Sequence, residues 1–253
     1  MKITFLGTGP SLGIPIIGCD CHVCTSDDPK DKRLRSSVFI QNSNNSLVID
    51  AGPDFRYQML REKIKEVNAI LMTHEHMDHV AGLDDIRSFN YILRKPMDIF
   101  ADKRVIDAIQ RIFSYVFEEE KYPGIPQMNL HPLNNEEFVI DGFNVSPIKV
   151  LHHQLPVFGF RINDFTYISD GSFISDEEKN KIYKSKILVI NSLRKAKHIS
   201  HFCLEESLNI IEEVKPQKAY LTHMGHMMGL HKNIKAELPH NVFPAYDGLT
   251  VEI

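Results

Sequence analysis

No stretch of this chain approaches the roughly 20 consecutive apolar residues that a membrane-spanning helix requires, so integral membrane classes are set aside. Basic charge is not in excess either: 29 Lys and Arg face 33 Asp and Glu, leaving a net charge of −4. Proteins that track a long nucleic-acid backbone usually carry a basic surface. No extended nucleic-acid partner is therefore expected, although a bulk count leaves room for a local basic patch. Cysteine is scarce. Four residues are too few for a disulfide scaffold at 253 residues, and three of them crowd into "CDCHVC", a spacing that suits a metal and a reducing compartment. The opening "MKITFLGTGPSLGIPIIGC" loosely resembles a lipoprotein signal, but glycines and prolines break its apolar core, and a cytoplasmic location is expected. Internal repeats, low-complexity tracts and linkers are absent from the sequence, which predicts a single domain over residues 1–253.

What is present reads as an ordinary globular chain, 43% apolar and 25% charged. Met1 to Leu6 predicts a strand running into "GTGPSLGIP"; Pro10 and the cysteines that follow rule out a dinucleotide loop. "SSVFIQ" and "SLVIDAG" predict a hairpin. "HVAGLDDIRSFNYILR" and "KRVIDAIQRIFSYVF" have helical spacing, the second capped by Asp102. Turns at Asp141-Gly142 and Asn163-Asp164 predict further strand pairs. Strands followed by helices in both halves predict an α/β fold of two sheets packed face to face with helices outside.

The informative regularity is positional. "NAILMTH" ends at His74, "SPIKVLH" at His152, "FTYISD" at Asp170 and "KAYLTH" at His223. Loops at strand ends gather at one rim of a sheet, where a rigid scaffold can make side chains converge. Within "THEHMDH", His74 and His76 are spaced to face one ion, and Asp78 and His79 a second. Three imidazoles leave zinc an open position for water, and a shared carboxylate would hold two ions about 3.5–4 Å apart.

"THEHMDH", followed in order by His152, Asp170 and His223, resembles the H-x-H-x-D-H signature and ligand order of the metallo-β-lactamase superfamily over essentially the whole chain. The resemblance implies a four-layer αββα sandwich. It also implies that His74, His76 and His152 bind one metal, that Asp78, His79 and His223 bind the other, and that Asp170 bridges. His153 competes with His152 by position; "LHHQLPVFGFR" fits the family's H-x-x-L-P-x-x-G when His152 is the ligand. Asp170 stands where several true β-lactamases carry cysteine, and His76 where the diiron oxygen-reducing relatives carry glutamate. Antibiotic hydrolysis and redox chemistry are both disfavoured.

Cys19, Cys21 and Cys24, in a zinc-knuckle loop over residues 18–26, suit a closed structural zinc site that needs a fourth ligand. His226 is the leading candidate, with His22 and Cys203 as rivals. The C-x-C-x-x-C loop, with "GTGPSLGIP", "IDAGPDF" and "AYDG", is similar to the branch of the superfamily that holds the cyclic-phosphate phosphodiesterase of the carbon–phosphorus lyase pathway. That likeness implies two catalytic divalent metal ions (Zn, Mn or Fe), one structural Zn, and a small phosphodiester substrate attacked by a metal-bridging hydroxide. Asp78 and His201 are the residues expected in catalysis, His201 beside the phosphate with His198 as its rival. Asp50 and Asp54 are expected to orient ligands. Residues 87–133 are expected to include a lid. Relatives are commonly dimers, which leaves a homodimer open. The rival activities are a tRNA 3′-end-processing endonuclease, whose glycine- and proline-rich arm has no counterpart here, a thioester or lactone hydrolase, and a catalytically silent metalloprotein.

Overall fold

The computed structural model describes residues 1–120 and 122–253. Two sheets form its centre. One runs in the order Thr250–Glu252, Lys2–Gly7, Ser37–Gln41, Ser46–Ile49, Ala69–Leu71, Met97–Asp102, Met128–Leu133. The other runs Phe173–Ile174, Phe143–His152, Leu155–Ile162, Phe165–Ile168, Ile187–Asn191, Lys218–Thr222, Val242–Pro244, with Phe138–Ile140 also paired to Phe143–His152.

Strand periodicity decides which side chains fill which layer. Ile3, Phe5, Val38, Ile40, Leu47, Ile49, Ala69 and Leu71 point between the sheets, where they meet Phe143, Val145, Phe158, Phe160, Phe165 and Tyr167. The alternate residues Leu6, Phe39, Val48, Ile70 and Ile99 face outward onto Phe55, Phe89, Val105 and Ile109 of the covering helices. On the far side Ile148, Val150, Leu188, Ile190 and Leu221 meet Ile182, Ile210, Ile211 and Ile234. Both faces of each sheet are thus buried, which explains why the central strands read as near-continuous apolar runs. The result is the αββα sandwich. Among the described residues no helix is long and apolar enough to cross a membrane.

Strand direction places the functional edge. Ser46–Ile49, Ala69–Leu71 and Met97–Asp102 are mutually parallel, as are Phe165–Ile168, Ile187–Asn191 and Lys218–Thr222. Phe143–His152 runs the same way as Phe165–Ile168, since both are antiparallel to Leu155–Ile162. The carboxyl ends of these strands gather at one rim, the usual side for a site in parallel sheets.

Several expectations are corrected. The segment 87–133 is scaffold over most of its length: Met97–Asp102 is an interior strand, Met128–Leu133 is the next one, and Phe89, Ile106, Phe113 and Val116 lie in the core. Lys121, within the expected lid, lies outside the described residues. Met128–Leu133 was hidden from sequence reasoning because it is a half-buried edge strand carrying Pro132. The helix expected over 103–117 divides at Phe113 (φ −108°, ψ 41°) into Lys103–Ile112 and Ser114–Phe117, although Asp102 caps it as expected, accepting from Arg104 N at 2.8 Å. From Met77 onward the chain forms Met77–Val80, which holds His79, a 3-10 turn Ala81–Ile86 and then Arg87–Leu93.

Candidate metal centre

Asp50 follows Ser46–Ile49, His74 comes after Ala69–Leu71, His152 ends its own strand, Asp170 follows Phe165–Ile168 and His223 follows Lys218–Thr222. Asp50, Asp170 and His223 have φ of 63°, 59° and 54°. Left-handed backbone is uncommon outside glycine, and Asp and His are among the types that enter it most. Holding such a residue costs about 1–3 kcal/mol and persists where the surroundings over-determine it. Here the turn swings each side chain off its strand axis and into the rim.

There the side chains meet. His74 Nε2 lies 3.1 Å from His76 Nδ1, and the ligand atoms of His74, His76 and His152 all fall within 4.8 Å of one another. His79 Nε2 is 3.2 Å from Asp78 Oδ2 and 3.3 Å from Asp170 Oδ2. His223 Nε2 is 3.3 Å from Asp170 Oδ1. His153, by contrast, is exposed and turned outward by a φ of 56°. Two N or O atoms bound at about 2.0–2.1 Å to one cation, at angles between a right angle and the tetrahedral, stand about 2.9–3.4 Å apart. All four close separations fit that interval.

Hydrogen bonds could give the same distances, so donor direction matters. His152 Nδ1 donates to the Ser200 carbonyl at 2.7 Å and His79 Nδ1 to Asp50 Oδ2 at 2.6 Å. Ser36 Oγ donates to Gly9 O, and so accepts from His223 Nδ1 at 3.2 Å. Thr73 Oγ1 donates to Asp50 Oδ2, and so accepts from His74 Nδ1 at 2.9 Å. With protons on these four Nδ1 atoms, each Nε2 is the nitrogen left facing inward, and the buried His79 Nε2 has no hydrogen-bond partner. Outer partners that fix the tautomer of metal-ligating histidines are a regular feature of metal sites. The donor set fits divalent cations.

Burial opposes charge on Asp170, yet the His223 and His79 imidazoles hold its carboxyl well below the usual range. Burial, and then the charge of His79, push His74 well below the ordinary histidine value. Burial also disfavours charged His79, but Asp50 and Asp170 outweigh it and hold its pKa well above ordinary. A cation entering this cluster therefore competes with the His79 proton.

His201 is not a helix cap; Cys203 fills that position. The His201 ring lies 4.9 Å from His223 and 4.6 Å from His152, and its buried Nδ1, without a hydrogen-bond partner, is 3.7 Å from Asp170 Oδ1. Burial and then His223 push its pKa down to about 3, so the imidazole is neutral. His198 stays one ring further out, 5.3 Å from His201, with Nδ1 engaged by Ser200. His152, Asp170 and His201 form a group of their own that His198 does not enter.

Cys19 Sγ and Cys21 Sγ each lie 3.4 Å from His226 Nδ1, and Cys24 Sγ lies 3.6 Å away. A tetrahedral zinc with Zn–S of about 2.3 Å and Zn–N of about 2.0–2.1 Å has an S-to-N edge of about 3.5 Å. Neither His22 nor Cys203 joins this group among the described residues. The backbone amide of Cys24 leads in lowering the Cys21 thiol to about 6, whereas burial pushes Cys24 up to about 11. A cation is what would turn all three into thiolates together.

Behind the knuckle, buried Arg33 donates from Nη1 to Thr8 Oγ1 at 2.8 Å and to Ala245 O at 2.7 Å, and its Nη2 lies 3.4 Å from His231 Nδ1. Burial, then the charges of Arg33 and Lys30, push His231 from 6.5 down to about 4. As pH falls the unfolded chain takes up this proton first. Neutral His231 thus contributes stability above about 6.5 that is lost as pH drops through about 4. His231→Asn is expected to flatten that part of the Tm-versus-pH curve; equal slopes in variant and wild type would rule His231 out as its source.

One of the two expected supporting residues departs from expectation. Asp50 accepts from His79 Nδ1, but Asp54 instead accepts from Arg35 N at 2.9 Å and pairs with the Arg35 guanidinium at 3.2 Å. Ser36 and Thr73 were missed. Thr73 adjoins His74, a signal that was available; nothing in the sequence marks Ser36. Gly52 holds the loop before Asp54 against the site: a Cβ there would stand 2.0 Å from Asp78 O. Gly52→Ala is expected to cost about 3 kcal/mol by overpacking and to lower metal uptake. Unchanged Tm and metal content would show that the Asp78 loop yields freely.

Residues 45–224 match the family described as Beta-lactamase superfamily domain. The crystal structure of a diphosphatase from the PhnP family superposes with a TM-score of 0.93 at 35% identity, covering 100% of this chain and 97% of that one. An octanoyltransferase of Porphyromonas gingivalis is 35% identical over 252 residues, 98% of this chain and 51% of that protein. A ribonuclease Z of Staphylococcus carnosus is 27% identical over 175 residues, 64% of this chain and 49% of that protein. The chain spans about half the length of these two curated relatives.

Proposed function

The chain belongs to the metallo-β-lactamase superfamily, a fold of metal-dependent hydrolases, and on that premise we propose that it hydrolyses a small phosphodiester, of the cyclic ribose phosphate kind, with two divalent cations. His74, His76 and His152 would hold one, Asp78, His79 and His223 the other, with Asp170 shared. Cys19, Cys21, Cys24 and His226 would hold a third, structural ion. The observation that carries the reading is the placement of Asp170, whose carboxylate groups with His74 and His79 on one side and with His152 and His201 on the other.

Bound cations supply a lowered pKa for water and a positive field for the non-bridging phosphate oxygens. The chain's own residues do the rest. Asp50, Thr73, Ser36 and the Ser200 carbonyl keep each Nδ1 protonated, so the inward nitrogens are committed to the ions. His201, neutral and buried beside Asp170, carries one N–H that it can donate to a phosphoryl or leaving-group oxygen. The solved relative described as a diphosphatase supports a phosphorylated substrate class.

A second reading, an ester or thioester hydrolase, draws on the alignment of 98% of the chain with half of the Porphyromonas octanoyltransferase. Metal analysis followed by a panel of bis(p-nitrophenyl) phosphate, ribose cyclic phosphates, pre-tRNA and an octanoyl thioester separates the readings. Turnover of the small diesters with pre-tRNA left intact is expected. Thioester cleavage with no diester turnover would replace the first reading by the second.

A further inference from the structure

We propose that Arg104 is a positioning residue that sets the spacing of His74, His76 and His152 by tying together the two sheets that carry them; this rests on the reading of that trio as a metal site. The three histidines do not share a scaffold. His74 and His76 lie on the loop after Ala69–Leu71 of the first sheet, and His152 ends a strand of the second. Their relative position therefore depends on whatever joins the sheets at this rim.

Beside His74 and His152, two links are present among the described residues. Phe158 N donates to the Thr73 carbonyl at 3.0 Å, upstream of His74. The other is Arg104, which donates from Nη1 to Glu75 Oε1, between His74 and His76, and from Nη2 to the carbonyl of Pro156. Pro156 pairs with Leu151, and its neighbour Leu155 with His152, so the guanidinium grips the hairpin that presents His152. Its own base is fixed, because Arg104 N is held by the cap Asp102 at 2.8 Å.

The second link matters most for His76. The rings of His74 and His152 are oriented by Thr73 Oγ1 and the Ser200 carbonyl, whereas no contact of the His76 ring beyond His74 Nε2 is a hydrogen bond among the described residues. Its backbone is fixed on one side by the helix start, where His79 N and Val80 N donate to His76 O. On the other side stands Glu75, whose Oε2 is buried with no hydrogen-bond partner, so Arg104 is the group that holds this carboxylate. The planar fork can serve a carboxylate and a carbonyl at once; a lysine ammonium on its flexible stem does not reproduce that geometry.

The test is a cobalt(II) titration of the full chain with its thiolate-bound ion retained, following the visible d–d bands and competing with a chelator, alongside Tm of the same samples. Arg104→Ala is expected to weaken cobalt uptake by about 10- to 100-fold, the usual effect of losing an outer-shell partner, with altered d–d bands and Tm of the cobalt-free chain close to wild type. Arg104→Lys should likewise leave Tm close to wild type and restore the bands only in part, and Glu75→Gln, which keeps an acceptor oxygen, should bind near wild type. Wild-type uptake matched by both Arg104 variants overturns the brace alone. A fall in Tm with unchanged bands makes Arg104 merely structural and overturns it too. A wild type that takes up no cobalt outside the knuckle overturns the reading of the site together with the brace.

Discussion

Asp170→Asn is expected to lower turnover of a small phosphodiester by about 10³-fold or more, the equivalent of about 4 kcal/mol of transition-state stabilisation. The change keeps the side-chain shape and removes the charge. Asp170 lies 3.3 Å from both His79 Nε2 and His223 Nε2, with one carboxylate oxygen toward each. An amide can offer an acceptor to only one of them and presents N–H donors to the other. Whichever way it turns, one half of the cluster loses its acceptor oxygen and the other keeps only a neutral one. The same substitution also removes one of the two charges that hold the His79 proton, so His79 should titrate lower. Metal content and kcat/KM measured together give the answer. A variant with full metal content and activity within tenfold of wild type would show that Asp170 is not shared between ions.

The second large effect is expected at the knuckle. Cys21→Ser should lower Tm by about 10 °C, as a loss of about 3–4 kcal/mol does in a chain of this size, and should lower activity although Cys21 touches no residue of the proposed catalytic cluster. The physical reason is the poverty of the loop's own core. Ile14, Val23 and Cys24 are its buried apolar residues, with Ile16, Cys19, Cys21 and Leu230 packed against them. Apolar burial of that extent cannot order the loop, whereas a structural zinc site contributes folding free energy directly. His226 belongs to the segment that begins at His223, and Met224 N donates to Thr8 O at 3.0 Å. Loosening the knuckle therefore frees the turn that aims His223. Cys203→Ser is the control: position 203 is a helix N-cap, where serine is a preferred residue, so Tm should stay close to wild type. Equal losses in both variants would mean that the thiols act as ordinary buried side chains.

Much of this was written in local pattern. The period-2 alternation along "ITFLG", "SVFIQ" and "SLVI" put Phe5, Val38 and Ile49 on one face and Leu6, Phe39 and Val48 on the other, as the layers require. The ligand types at four strand ends, and the C-x-C-x-x-C loop with its distant histidine, were legible because each is a short-range fact about residue type and spacing. The break at Phe113, the edge strand Met128–Leu133 and the scaffold role of most of 87–133 were not legible, since burial of one element against another overrode local propensity there.

By itself, then, the sequence determined which residue types stand at the ends of which strands, and that they suit cations. Only the tertiary structure decided which members of each ambiguous pair face inward: His152 over His153, His201 over His198, His226 over His22. Neighbours in sequence differ little in what they are. They differ in where the backbone aims them: the left-handed turn at His153 and the hydrogen bond from His152 to the Ser200 carbonyl separate the first pair, and the packing that brings distant segments together decides the others.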